Sequence, residues 1–119
     1  MACASPDTLV RFAGIVEYAP HPPTLRCSGD EDRSTQSRRR QALVRAMKAS
    51  TDIAVDLGEL TWADVSLMLD FVTLARRLRV QGLTLSLRDP QPPIAALLEL
   101  VGLDRVPGVR IERSEPAFA

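Results

Sequence analysis

Aromatic side chains are scarce: three phenylalanines, one tryptophan and one tyrosine make up 4% of 119 residues. So few rings leave little on which nucleic-acid bases could stack. Net charge is missing too, because 15 Lys plus Arg balance 15 Asp plus Glu. Nucleic-acid binders carry a basic excess, so direct binding of nucleic acid is not expected. Histidine occurs once, as His21 in a loop between prolines, which gives neither a zinc site nor a histidine-based triad any support. The two cysteines, Cys3 and Cys27, form no metal spacing and read as free thiols of a reducing compartment. No apolar run is long enough to span a bilayer, and the first residues lack the basic-then-apolar order of a signal peptide. The expectation is a cytoplasmic protein with no membrane insertion. Scattered glycines form no phosphate-cradling loop, so no cofactor and no metal are expected.

What is present suffices for one core. Hydrophobic residues are 45% and charged residues 25%, the ordinary balance of a globular domain. The length suits a single domain over residues 8–113, with flexible ends at 1–7 and 114–119. A first strand is expected from Thr8 to Tyr18, with Val10, Phe12, Val16 and Tyr18 on one face and a bulge at Gly14. Ala19-Pro20-His21-Pro22-Pro23 reads as a stiff connector that ends it. Thr24 to Ser28 alternates as a second strand, Leu25 and Cys27 inward, and Gly29-Asp30-Glu31-Asp32 closes it. Ser34 or Thr35 is expected to cap a helix running to Ala49. Ile53 to Leu57 reads as a third strand with Gly58 as its turn out. Leu83 to Leu87 and Val109 to Arg113 read as two further strands, with a helix from Ile94 to Val101 between them, entered by Pro93 and stopped by Gly102. After the connector, strand and helix alternate, which implies parallel strands joined by right-handed crossovers. The first two strands are close enough in sequence to pair antiparallel. The fold class is therefore α/β, a mixed and mostly parallel sheet with helices connecting the later strands.

The chain is organised around Thr61 to Gly82. Asp64 is a good N-cap, because its carboxylate can accept from a free amide of the first turn. Gly82 suits the left-handed position just past the end. Arg76, Arg77 and Arg79 sit near the negative end of the helix dipole. Ser66, Asp70, Thr73 and Arg77 form a polar stripe. Val65, Leu67, Met68, Leu69, Phe71, Val72, Leu74, Ala75 and Leu78 form a broad apolar arc, through which a homodimer could assemble. Ser66 thus falls on the exposed stripe in the first turn, where amides favour an anion.

Catalysis finds little footing. Ser66 has no histidine or lysine nearby in sequence to take its proton, and a carboxylate alone is a weak base for a hydroxyl. Asp30 and Asp32 read as solvated loop acids with no evident cleft. Arg38-Arg39-Arg40 reads as a solvated helix face beside those acids, or as a patch for phosphate. An enzyme is not expected.

The run Asp56-Leu57-Gly58-Glu59-Leu60-Thr61-Trp62-Ala63-Asp64-Val65-Ser66, followed by a long apolar helix, resembles the STAS domains of bacterial anti-sigma factor antagonists. Two more landmarks agree. Thr24 to Asp32 is similar to that family's strand ending in Gly-Glu-Leu-Asp. Ile94 to Asp104 is similar to its closing helix, which ends in Thr-Gly-Leu or Val-Gly-Leu. The set covers Thr8 to Ile111 in order.

The resemblance implies a STAS-like single domain that binds and does not catalyse. Its members sequester an anti-sigma factor that is also a serine kinase, which frees a sigma factor. The kinase phosphorylates a serine in an Asp-Ser-Ser-Gly segment where the central helix starts. Carried over, Asp64 matches the acid, Ser66 the phosphorylation site, and Asp30 and Asp32 the acids of the Gly-Glu-Leu-Asp segment. Val65 stands in place of the first serine, and Leu67 in place of the glycine. The partner-binding residues implied are Asp30, Asp32, Trp62, Asp64, Ser66 and Leu67. STAS modules also serve without phosphorylation, as scaffolds or adaptors in signalling and transport assemblies.

Overall fold

The computed structural model of the protein describes residues 14–114. Residues 8–13 of the expected first strand, and Cys3, lie outside the described residues. Five strands and three helices follow in the order β1 (Ile15–Pro20), β2 (Pro23–Glu31), α1 (Gln36–Met47), β3 (Ile53–Ala63), α2 (Val65–Val80), β4 (Leu85–Arg88), α3 (Pro92–Leu100) and β5 (Val109–Glu112). The strands lie in the sheet in sequence order, β1 antiparallel to β2 and every later pair parallel. The mixed sheet and alternating helices expected from the sequence are what the chain forms.

Alternation works as it should on β2: Leu25 and Cys27 are fully buried and their neighbours are not. Burial pushes the Cys27 thiol well above its ordinary value, so it packs as a small apolar group. The inward residues of β2, β3 and β4 join Leu67, Met68, Phe71, Leu74 and Leu78 of α2 in one core. The helices α1 and α2 pack against each other as well as on the sheet.

Several boundaries differ from the sequence reading. The proline connector does not stop the strands: they run to Pro20 and restart at Pro23, with a cis His21–Pro22 peptide in the turn. Gly14 lies just before β1, and the residues on its other side are outside those described, so the bulge expected there is not tested. A Cβ there would lie 1.9 Å from Glu31 Oε2, so the position is glycine because a carboxylate packs against it. The acids after Ser28 do not close β2, which continues through Glu31. Likewise Gly58 is not the turn out of β3. The two strands sustain each other, Ser28 pairing Glu59 and Glu31 pairing Ala63, and the register slips between Arg26 and Ser28. Gly58 therefore sits at a bulge inside a long strand, its amide bonded to Asp56 Oδ1 at 3.0 Å. Gly82 does follow the end of α2 in a left-handed conformation, φ +75°.

The apolar arc of α2 divides. Leu67, Met68, Phe71, Leu74, Ala75 and Leu78 face the core, while Val65 and Leu69 are exposed. Most of the arc is thus already covered by the chain's own sheet and helices, and only Val65 and Leu69 of its large side chains are left exposed.

Candidate functional site

Parallel strands deliver their C-terminal ends to one edge of a sheet, and loops there gather side chains from distant parts of the chain. Here β2 and β3 end side by side. The Asp64 amide donates to the Glu31 carbonyl at 3.1 Å, so the start of α2 is tied to the end of β2. From there the chain enters a single 3-10 turn, Arg33–Thr35, before α1. Asp32 caps that turn, accepting from the Ser34 amide at 2.8 Å, and the Thr35 hydroxyl accepts from the Asp32 amide at 3.0 Å. The cap is therefore Asp32. Thr35 precedes α1 without a side-chain capping bond, and Ser34 does not cap the helix.

Arg39 is the centre of the site. The reading of Arg38-Arg39-Arg40 as a solvated face fails at its middle residue, which is 1% exposed. Its Nε donates to Asp70 Oδ2 at 2.7 Å. Its Nη1 lies 3.1 Å from Glu31 Oε1 and 2.9 Å from the Asp32 carbonyl. Its Nη2 donates to Ser66 Oγ at 3.0 Å. One guanidinium thus joins the end of β2, the start of α1 and the first two turns of α2. Burial raises the Glu31 carboxyl above its ordinary value, and hydrogen bonds from Thr35 and Arg39 with the Arg39 charge pull part of that rise back.

Ser66 is half-buried and not free on an exposed stripe. Its hydroxyl donates a short hydrogen bond to Asp64 Oδ1 while its oxygen accepts from Arg39. Asp64 is the N-cap, as its sequence position implies, accepting from the Ser66 amide at 2.9 Å; its second oxygen accepts from the Arg33 amide at 3.1 Å. The amides of the first turn are therefore not all open to an anion. Burial draws the Asp64 carboxyl upward, but the bonds from the Ser66 hydroxyl and from the Ser66 and Arg33 amides outweigh it, and the net shift is downward.

A lowered folded value means that the unfolded chain binds the Asp64 proton more tightly. The stabilisation is complete above the unfolded value of about 3.9 and is lost as pH falls through the lower folded one. Asparagine at this position still caps but does not titrate. We expect the urea midpoint of the wild type to drop against that of Asp64→Asn as pH is lowered from 7 to below 4. Parallel midpoint curves would show that the Asp64 carboxylate contributes nothing through its charge.

Other residues implied by the resemblance fall into different places. Asp30 is a buried acid, not a solvated one, and accepts from the Thr61 hydroxyl at 2.8 Å. Asp32 is spent on its cap. Leu67 is 0% exposed, so it belongs to the core and cannot be a contact residue. The turn of the helix carries it inward from Ser66. Trp62, by contrast, is 44% exposed, and Val65 and Leu69 are 50% and 59% exposed. Val65 and Leu69, four apart on α2, are neighbours on its exposed side, and Trp62 stands just before them at the end of β3. The sequence reading missed Arg39, Glu31, Thr35 and Asp70. A signal was there: Thr35, Arg39, Leu43 and Ala46 follow helical spacing, so extending the apolar face of α1 backward reaches Arg39.

No group of three or more His, Cys, Asp or Glu among the described residues could hold a metal ion. No helix among them is long and apolar enough to cross a membrane.

The chain is thus a small α/β domain with a sequential mixed sheet and a serine bonded to the N-cap aspartate of its central helix. Residues 16–111 match the family described as "Mlab, STAS domain", and the chain belongs to the STAS domain family. It is also similar to the solved structure of an anti-sigma-factor antagonist (STAS) domain protein from Planctomyces limnophilus, with a TM-score of 0.67 at 12% identity, over 88% of this chain and 92% of that one. At such identity the likeness speaks for the fold alone. No curated protein shows a sequence match to the chain.

Proposed function

We propose that the protein is a docking module of the anti-sigma-factor antagonist kind, acting in the cytoplasm by binding and not by turnover. The partner is an anti-sigma factor with serine-kinase activity, captured at the start of α2, and Ser66 is the residue it phosphorylates. One observation carries this: apolar side chains are exposed close to a serine in the first turn of a helix, Val65 and Leu69 on α2 itself and Trp62 at the end of the strand that leads into it. Exposed apolar side chains rimmed by polar groups are what a protein partner covers. A phosphoryl group at Ser66 would set about −1.5 to −2 charge close to them and disfavour that contact. Asp64 fixes the hydroxyl, while Asp30 and Asp32 shape the adjoining loop. Membership of the STAS family supports a binding module, and the choice of partner follows the resemblance of the Asp56-to-Ser66 run to antagonist domains.

A second reading is an unphosphorylated STAS adaptor in a signalling or transport assembly. It is favoured by the fact that the Ser66 hydroxyl already has a structural use, bridging Asp64 and Arg39.

The two separate on one experiment. Incubation with candidate anti-sigma kinases and ATP should add one phosphoryl mass, mapped to Ser66, and Ser66→Asp should weaken capture of the kinase about tenfold or more. Unchanged mass with capture retained would leave the adaptor reading.

A further inference from the structure

We infer that Arg39 is a built-in receptor for the charge added at Ser66: the phosphoryl group draws its guanidinium away from Asp70 and Glu31, so that the modification is felt at the junction of β2, α1 and α2. This rests on the reading of Ser66 as a phosphorylation site.

The geometry leads there step by step. Arg39 Nη2 is already 3.0 Å from the oxygen that would carry phosphorus, and the side chain is buried. Nη2 carries two N–H groups, so it can hold a phosphate oxygen without losing its planar fork. When a nucleoside triphosphate donates its terminal group, the Oγ–P bond forms and the bridging P–O bond breaks. The diphosphate leaves with that electron pair, and the hydroxyl proton passes through Asp64 to solvent. The Ser66-to-Asp64 hydrogen bond is lost with that proton. Asp64 then faces a dianion and repels it, while Asp70 on the next turn repels it too. The guanidinium in contact with Oγ is the nearby group that can offset this charge, and fork-to-phosphate bonds are stronger than those to one carboxylate oxygen. Asp70 is 21% exposed and can take water in exchange. Glu31 is 1% exposed and cannot, and the raised pKa that burial already gives it lets it take up a proton instead. The guanidinium therefore has an unequal grip: its outer partner is cheap to release and its inner one can be neutralised.

The test uses full-length protein with phosphoserine installed at position 66 during translation, which needs no kinase. The phosphate is titrated by phosphorus NMR in a Glu31→Gln background with and without Arg39→Gln. That pairing leaves no uncompensated Glu31 in either chain, so both should fold. We expect the second ionisation of the phosphate to lie about one pH unit or more lower when Arg39 is present, the effect of an opposite charge in contact. A crystal structure of the phosphoserine protein should place a phosphate oxygen on the Arg39 guanidinium, with the contact to Asp70 broken. Equal ionisation in the two chains, or a guanidinium still on Asp70 with the phosphate turned to solvent, overturns the inference. Neither result depends on a kinase, so failure of every kinase to modify Ser66 would sink the switch and leave this measurement standing.

Discussion

Arg39→Met is expected to cost about 3–5 kcal/mol, because it strands a buried carboxylate without its counter-charge. Glu31 is 1% exposed and takes one of its hydrogen bonds from Arg39, and the same substitution leaves Asp70 and Ser66 Oγ without their guanidinium. In urea this should lower the unfolding midpoint by on the order of 2 M. The loss should depend on pH in a definite sense. Without the guanidinium the Glu31 carboxyl rises further above its ordinary value, so the folded state holds its proton and the unfolded state releases it. The destabilisation relative to wild type is then smaller in acid and grows as pH rises from the raised folded value of the wild type to the still higher one of the variant. Arg39→Met combined with Glu31→Gln removes the stranded charge and should recover part of the loss. A single variant that unfolds at the wild-type midpoint would mean that the network is ornamental. A double variant no better than the single one would assign the cost to lost packing instead.

Leu67→Ala should cost about 2–5 kcal/mol, the usual range for deleting most of a buried leucine. The residue is 0% exposed and packs in the core with Met68 and Phe71. It lies next to Ser66 in sequence, so a loss of partner capture in this variant could be mistaken for the loss of a contact. Leu69→Ala supplies the contrast. Leu69 is 59% exposed, and its truncation should leave stability within about 0.5 kcal/mol while weakening capture. Urea unfolding and partner titration on the two variants separate these roles. Equal stability of wild type and Leu67→Ala would contradict the burial on which the correction of its role rests.

These two residues show where reading the chain succeeds and where it stops. Asp64 as a cap, Gly82 as a helix end and the parallel order of the later strands all follow from local rules: which side chain can satisfy a free amide, which residue accepts a left-handed backbone, which connections need a crossover. They came out as read. Boundaries that depend on a neighbour did not. The extension of β3 through Gly58 to Ala63 is sustained by hydrogen bonds to β2, which no local propensity encodes. The apolar arc of α2 shows the same limit. Its width was legible, but which residues face the core was set by how the helix rolls against the sheet, and that roll left Val65 and Leu69 outside and took Leu67 in.

The sequence by itself determined a balanced, single-domain α/β chain, the order of its strands and helices, and the placing of a serine beside a capping aspartate at the start of the central helix. Those are properties of composition and of contacts within a few residues. Only the tertiary structure decided that the middle arginine of a basic run is buried among Glu31, Asp70 and Ser66. Its partners are up to 31 positions away, and a charge can leave water only when several such partners converge on it at once.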